Sequence, residues 1–290
     1  MLYGAIEAGG TKFVCAVGNE NLEIIERVSF PTETPEKTMR SVIDFFKKFE
    51  TLSTIGVGSF GPIDVKRESE TYGYITSTPK LAWENFDFVG YLKDQLANIS
   101  VAWTTDVNAA CYGESIAGCG KGLSNVVYYT IGTGVGGGAL IDGQFVEGFS
   151  HPEMGHAMVR RHPEDTFIGN CPYHTDCLEG LAAGPAIEKR TGIKGQDLST
   201  EDPSWDIEAY YIAQCAYNTT LLFSPQVIIF GGGVMKQEQL RKKVQEQFAK
   251  LINDYVKYPD LSTYIVTPQL GDNAGVIGCL ALAKDLYLQA

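Results

Sequence analysis

All four histidines of this 290-residue chain fall between His151 and His174. Inside that window lies Cys171-Pro172-Tyr173-His174-Thr175-Asp176-Cys177, a C-x-x-H-x-x-C. Its two-residue spacings let two thiolates and an imidazole converge on one ion. Zinc takes four such ligands in a tetrahedron, so a fourth must come from outside the heptad. His151, His156 and His162 are the candidates, and spacing does not choose among them. Four protein ligands leave no open position, so such a metal is structural. There is no C-x-x-C for redox chemistry.

Carboxylates and glycine turns form the second set. Asp106 directly follows the strand-like run 101–105 and precedes a helical stretch, where it could either react or cap the helix. Glu7 precedes the turn Ala8-Gly9-Gly10-Thr11, a position from which a carboxylate can hold Mg²⁺ near phosphates. Glu153 and His156 are three apart, on one face if the stretch is helical, and Glu179 follows the second cysteine of the heptad. Glycine turns after strands let backbone N–H groups approach phosphate oxygens, because no Cβ intervenes. Three occur, at 8–11, 132–138 and 231–233.

The second turn, Gly132-Thr133-Gly134-Val135-Gly136-Gly137, spells the dinucleotide fingerprint G-x-G-x-x-G. That motif requires a helix next, and here a strand, 139–141, is expected instead. The dehydrogenase reading is therefore demoted. No P-loop and no protein-kinase H-R-D or D-F-G is present, and Val57-Gly58-Ser59-Phe60-Gly61 lacks the leading glycine of a nucleophile elbow. Turns spread along the chain suggest a nucleotide gripped between two lobes.

The elements that must position these groups alternate between strand and helix. Strands are expected at 2–6 and 13–17, then a helix from Thr34 as N-cap and Pro35, with Met39, Val42, Ile43, Phe46 and Phe49 on one face. Further strands are expected near 55–58 and at 101–105, and a helix at 108–117. A sharp turn at 118–122 marks a lobe boundary. The strand 126–131, its glycine turn and the strand 139–141 repeat the opening design. Helices at about 205–223, 236–255 and 273–288 and a strand at 227–230 complete an α/β pattern with mixed sheets.

Composition bounds the partners. Acidic residues number 35 against 23 basic, a formal charge of −12, which repels nucleic acid and anionic lipid. Seven cysteines cannot all pair, and Cys15, Cys111, Cys119, Cys215 and Cys279 read as core. The opening residues carry an acid where a signal peptide needs apolar residues, and no run of 18 apolar residues occurs. The expectation is a soluble cytoplasmic protein with no nucleic-acid and no membrane partner.

These residues resemble the ROK group of sugar kinases and repressors. Glu7-Ala8-Gly9-Gly10-Thr11-Lys12 is similar to the group's first phosphate loop, and Thr105-Asp106-Val107-Asn108-Ala109-Ala110 to its catalytic segment. Residues 131–138 are similar to the second phosphate loop, and Glu153-Met154-Gly155-His156 with the cysteine knuckle and Leu178-Glu179-Gly180 to the signature. Residues 229–234 resemble the adenosine loop and 270–275 the closing segment. Glu7 in place of the commoner Asp, and C-x-x-H-x-x-C in place of C-x-C-x₄-C, resemble the bacterial zinc-containing fructokinase branch.

The resemblance implies a two-lobed actin/hexokinase-like (ribonuclease H-like) α/β fold, each lobe a five-stranded mixed sheet with helices, and a homodimer. The N-terminal lobe would be 1–117, completed by a C-terminal helix 273–290, with 118–272 carrying the zinc knuckle and nucleotide loops. It implies ATP-dependent phosphorylation of a hexose, first of all fructose to fructose 6-phosphate. Mannose, glucose or an N-acylhexosamine are the alternatives, with a sugar-responsive regulator or an NAD-dependent dehydrogenase behind them. The regulators need an added N-terminal segment for which a first strand entered at Leu2 leaves no room. Asp106 would be the general base, Glu7 would reach Mg²⁺, and Asn108, Glu153, His156 and Glu179 would bind the sugar. Gly9, Gly10, Thr11, Lys12, Thr133, Gly134, Gly184, Gly231, Gly232 and Gly233 would bind ATP. His156 would join Cys171, His174 and Cys177 on a structural Zn²⁺.

Overall fold

A computed structural model describes residues 1–97 and 99–289. Position 290, the expected end of the last helix, lies outside the described residues. The chain divides into two units, Met1–Lys121 with Glu147–His151 and Asp272–Ala290, and Gly122–Val146 with Pro152–Gly271. Residues 147–151 thus belong with the first unit, although the sequence places them inside the span 118–272.

In the first unit β1 (Leu2–Ala8), β2 (Lys12–Gly18), β3 (Ile24–Pro31), β4 (Leu52–Ser59) and β7 (Ser100–Thr105) form one sheet in the order β3-β2-β1-β4-β7. A two-stranded ribbon, β5 (Tyr74–Ile75) and β6 (Phe86–Asp87), stands apart from it. The central strands alternate between two apolar faces, as a sheet covered on both sides must. Ile6, Ala8, Phe13, Cys15 and Val17 share a core with Met39, Val42 and Phe46 of α1 (Pro35–Phe46) and with Phe88 and Leu92 of α2 (Phe88–Gln95). Tyr3, Ala5, Val14 and Ala16 face the other way, toward Ala109 of α3 (Asp106–Ala117) and Val276, Cys279 and Leu280 of the terminal helix Ala274–Gln289.

Thr34 sits at the N-cap of α1, but its hydroxyl makes no capping bond, and Phe49 falls beyond the helix end. Cys119, expected in the core, is half-buried, and its thiol donates to the Glu114 carboxylate at 3.2 Å.

The second unit repeats the topology. Strands β8 (Val126–Ile131), β9 (Val135–Ile141), β10 (Gln144–Phe145), β11 (Val227–Gly231) and β12 (Ile265–Val266) take the order β10-β9-β8-β11-β12. In each sheet the third, second, first, fourth and fifth strands lie side by side, so the repeat seen in the sequence pattern is a repeat of fold. The expected glycine turn at 132–138 is shorter than its glycines suggest. Val135 already pairs with Ile131, and Gly136, Gly137 and Gly138 are strand residues of β9. The core of this unit gathers Tyr129, Leu181, Trp205, Tyr211, Ile212, Phe230 and Phe248. They come from the sheet, α4 (Leu178–Ala182), α6 (Ser204–Phe223) and α7 (Glu238–Ile252), with α5 (Gly184–Thr191) and α8 (Leu261–Tyr264) alongside.

Candidate functional site

In the first unit β1, β4 and β7 run parallel, with Glu7 opposite Gly58 and Gly58 opposite Thr104. Glu7 and Asp106 therefore emerge at the same carboxyl end of the sheet, two strand spacings or about 10 Å apart. Glu7 shares the Tyr3 and Ala5 face, so it points toward the terminal helix. A Cβ on Gly275 would lie 2.7 Å from the Glu7 carboxyl carbon, so glycine there leaves room for the carboxylate. Burial raises the Glu7 pKa; Lys12 and Arg27 oppose this, and the Asp272 carboxylate adds to it. Two acids crowded together at the end of a sheet are a donor set that a divalent cation would hold ionised.

Asp106 is half-buried, and its Oδ1 accepts the N–H of Val107 at 2.9 Å. It is not the cap of α3. Thr105 is, its hydroxyl accepting the Asn108 N–H at 3.1 Å. Asn108, expected to touch sugar, is 3% exposed, and its amide donates to Thr104 Oγ1 at 3.1 Å. These contacts hold Asn108 at the start of the helix beside Asp106.

The first glycine turn closes with Gly9 N–H donating to the Lys12 carbonyl at 3.0 Å. Thr32 braces it from β3's end, its hydroxyl donating to the Gly9 carbonyl at 2.7 Å and its N–H to that of Thr11 at 3.0 Å. Thr11 and Lys12 are exposed at the turn. Sequence reasoning misses Lys80, whose Cε would stand 3.4 Å from a Cβ on Gly10. No spacing signal links a loop lysine to a turn so far away in the chain.

The second unit brings its glycines together. Thr130 of β8 is paired with Gly231 of β11, so both turns leave adjacent parallel strands at the same end. Gly184 N–H, at the start of α5, donates to the Gly132 carbonyl at 2.7 Å. The Gly233 nitrogen lies 3.8 Å from a Cβ placed on Gly132. Thr133, Gly134, Gly184 and 231–233 thus occupy one end of one sheet. Because β9 and not a helix follows the turn, the G-x-G-x-x-G string has no dinucleotide geometry.

The ligand atoms of His156, Cys171, His174 and Cys177 all lie within 4.8 Å of one another. His156 Nδ1 is 3.7 Å from Cys171 Sγ and 3.5 Å from Cys177 Sγ, and His174 Nδ1 is 3.8 Å from Cys171 Sγ. Zinc bonded tetrahedrally to sulfur and nitrogen at its usual lengths has an N-to-S edge of about 3.6 Å, so the four residues fit that ion. The other candidates are engaged elsewhere. His151 Nε2 accepts the Ile63 N–H at 3.1 Å in the first unit, and His162 Nδ1 accepts that of Glu164 at 3.2 Å. Cys177 also caps α4, its Sγ accepting the Gly180 N–H at 3.4 Å.

The signature segment 153–156 makes only one 3-10 turn, Met154–His156, with His156 N–H bonded to the Glu153 carbonyl at 3.1 Å. Desolvation and then the Glu179 carboxylate raise the pKa of Glu153. Glu179 Oε1 stands 4.0 Å from His156 Nε2. Glu153, His156 and Glu179 therefore face one another in the second unit, with His156 presenting Nδ1 to the thiols and Nε2 to the acid.

The chain matches the ROK family over residues 3–286. It is 53% identical over 290 residues to a fructokinase of Streptococcus mutans, covering 98% of each chain. It is 52% identical over 284 residues to a fructokinase of Pediococcus pentosaceus, again covering 98% of each. Among solved structures, the ROK hexokinase of Thermus thermophilus has the same fold, with a TM-score of 0.82 at 24% identity over 100% of both chains.

Proposed function

We propose that the chain, which belongs to the ROK family, is an ATP-dependent hexose kinase that converts fructose to fructose 6-phosphate. The observation that carries this reading is the identity of 53% to a fructokinase over 98% of both chains. The geometry supplies the chemistry. Asp106 stands at the carboxyl end of the first sheet, where it accepts the proton of the sugar's primary hydroxyl as that oxygen attacks the γ-phosphorus. A P–O bond forms to the sugar, the bond from Pγ to the bridging oxygen breaks, and ADP leaves with the electron pair. Such a transfer depends on positioning and charge more than on covalent help from the protein.

Gly9, Gly10 and Thr11 with Lys12 in the first unit, and Thr133, Gly134, Gly184 and 231–233 in the second, are the donors proposed for ATP. Glu7 would hold Mg²⁺, which neutralises phosphate charge when bound. Glu153, His156 and Glu179 bind sugar hydroxyls. His156, Cys171, His174 and Cys177 would hold Zn²⁺, and a ring ligated through Nδ1 would be kept in one orientation. Asn108, in the same first turn of α3 as Asp106, is proposed to bind the sugar as well. The working form is a homodimer, as the family resemblance implies. A cytoplasmic setting suits seven free cysteines and an ATP substrate. No described helix is long and apolar enough to cross a membrane.

The test is a panel of fructose, mannose, glucose and N-acetylhexosamines with MgATP, following ADP release and the phosphorylated carbon by phosphorus NMR. Fructose phosphorylated fastest and at C6 supports the assignment. Faster turnover of another sugar replaces fructose, and no turnover on any removes the kinase.

A further inference from the structure

Lys80 lies in a loop that carries no motif, yet its side chain runs across the first glycine turn. Its Cε would stand 3.4 Å from a Cβ on Gly10, so the end of the stem lies in van der Waals reach of the turn. The backbone on either side is fixed. Lys80 N–H donates to Thr78 Oγ1 at 3.3 Å, and its carbonyl accepts the Trp83 N–H at 2.7 Å. Trp83 is 1% exposed, and its indole N–H donates to the Glu33 carbonyl at 2.7 Å. Its ring packs on Phe13 at 5.2 Å, and Phe13 belongs to the strand leaving the same glycine turn. The lysine and the turn are therefore parts of one rigid assembly within the first unit.

Acidic residues outnumber basic ones 35 to 23 along the chain. Lys80 is half-buried, and among the described residues its ammonium has no salt-bridge or hydrogen-bond partner. A cation held without an acid beside a turn rich in backbone N–H groups is set to meet an anionic oxygen. Lysine serves such oxygens as a compact point charge.

We propose that Lys80 is a further catalytic residue, its ammonium contacting the phosphoryl group in transit from ATP to the sugar. The proposal rests on the kinase reading above. There the ammonium offsets charge on the transferred group's oxygens, and it has no counterpart to meet in ADP, which lacks that group.

The test compares wild type with Lys80→Met, which keeps the stem, and Lys80→Arg, which keeps the charge. With fructose and MgATP, Lys80→Met loses about 10²–10³-fold in kcat, the scale of one lost stabilising donor, and Lys80→Arg regains at least about tenfold of it. KM for fructose stays within about threefold. By calorimetry with Mg²⁺, ADP binds all three proteins alike, whereas a non-hydrolysable ATP analogue binds Lys80→Met at least about fivefold more weakly. A Lys80→Met enzyme within about threefold of wild-type kcat, or one that weakens ADP and the analogue equally, overturns the proposal. A raised KM for fructose alone would make Lys80 a sugar contact and overturn it also. If the wild type turns over no hexose, the kinase reading falls, and the contrast between ADP and the analogue still decides Lys80.

Discussion

The carboxylate of Glu179 accepts the backbone N–H of Val135 at 3.0 Å. Glu179 belongs to the short helix α4 that Cys177 caps, and Val135 is the first residue of β9 after the glycine turn. The thiol knuckle and the second glycine turn are thereby tied together, with His156 Nε2 on the other side of the same carboxylate at 4.0 Å. Glu179→Gln keeps an acceptor for Val135 but loses the charge. It should raise KM for the hexose by about tenfold and leave KM for ATP nearly unchanged. Glu179→Ala should raise both, since it leaves the Val135 N–H unpaired as well. Steady-state kinetics with each substrate varied in turn separates the two; equal behaviour of the variants would contradict the shared role.

Cys177 serves twice, as a ligand candidate and as the cap of α4. Metal analysis of wild-type protein should return about one zinc per chain, the content of a single tetrahedral site. Cys177→Ser should lose it, and strong chelation of the wild type should lower Tm, because binding energy at such a site is folding energy. Folded, fully active protein without metal would refute the centre.

Gly275 is the position where a side chain would meet Glu7 most directly, at 2.7 Å from its carboxyl carbon. Gly275→Ala must displace that carboxylate. The half-saturating Mg²⁺ concentration should rise several-fold, about what a loss of 1 kcal/mol produces, while the far-ultraviolet circular dichroism stays unchanged. An unaltered Mg²⁺ dependence would separate Glu7 from the cation.

Glu208 of α6 is fully buried, and neither carboxylate oxygen has a hydrogen-bond partner. Arg190 stands 3.7 Å away, already engaged by Asp165 at 3.1 Å and by the Leu181 carbonyl at 2.6 Å. Burial, opposed by Arg190 and aided by Asp165, raises the Glu208 pKa well above its ordinary 4.5. The fold therefore favours the protonated acid, a stabilisation fully present below the unfolded value and lost as pH rises through the folded one. Glu208→Gln removes the titration. Its Tm should exceed that of wild type near pH 8, and the gap should close toward about pH 4.5, at about 1.4 kcal/mol per pH unit within the window. Calorimetric melting across that range checks it; a gap independent of pH would contradict the assignment.

Where side chains alternate or recur at fixed spacing, the fold is legible in the amino-acid sequence. The β1–β2 hairpin, the apolar face of α1 and the C-x-x-H-x-x-C knuckle are cases of this. Strand β3 is not, because it is an edge strand with mostly exposed residues such as Glu26 and Arg27, and its apolar alternation is confined to Val28 and Phe30. Gly136 to Gly138 read as turn, yet their register with Thr130, Tyr129 and Tyr128 makes them strand. Cys171, His174 and Cys177 of the candidate metal site are picked out by type and spacing. Lys80 is not, since its placement depends on which distant backbone its side chain meets. His151 belongs to the other unit and accepts the Ile63 N–H there, a difference from His156 that no spacing encodes.

In the proposed reaction Asp106 takes the sugar's proton during phosphoryl transfer. ADP release from MgATP with saturating fructose, measured for wild type and Asp106→Ala at equal metal content, tests it most directly. The account predicts that Asp106→Ala retains no more than about a hundredth of wild-type kcat, the lower bound for positioned proton transfer, while ADP binds both proteins with the same affinity. A variant that keeps more than about a hundredth of wild-type turnover would contradict this role, because a base that can be removed at so small a loss is not the base.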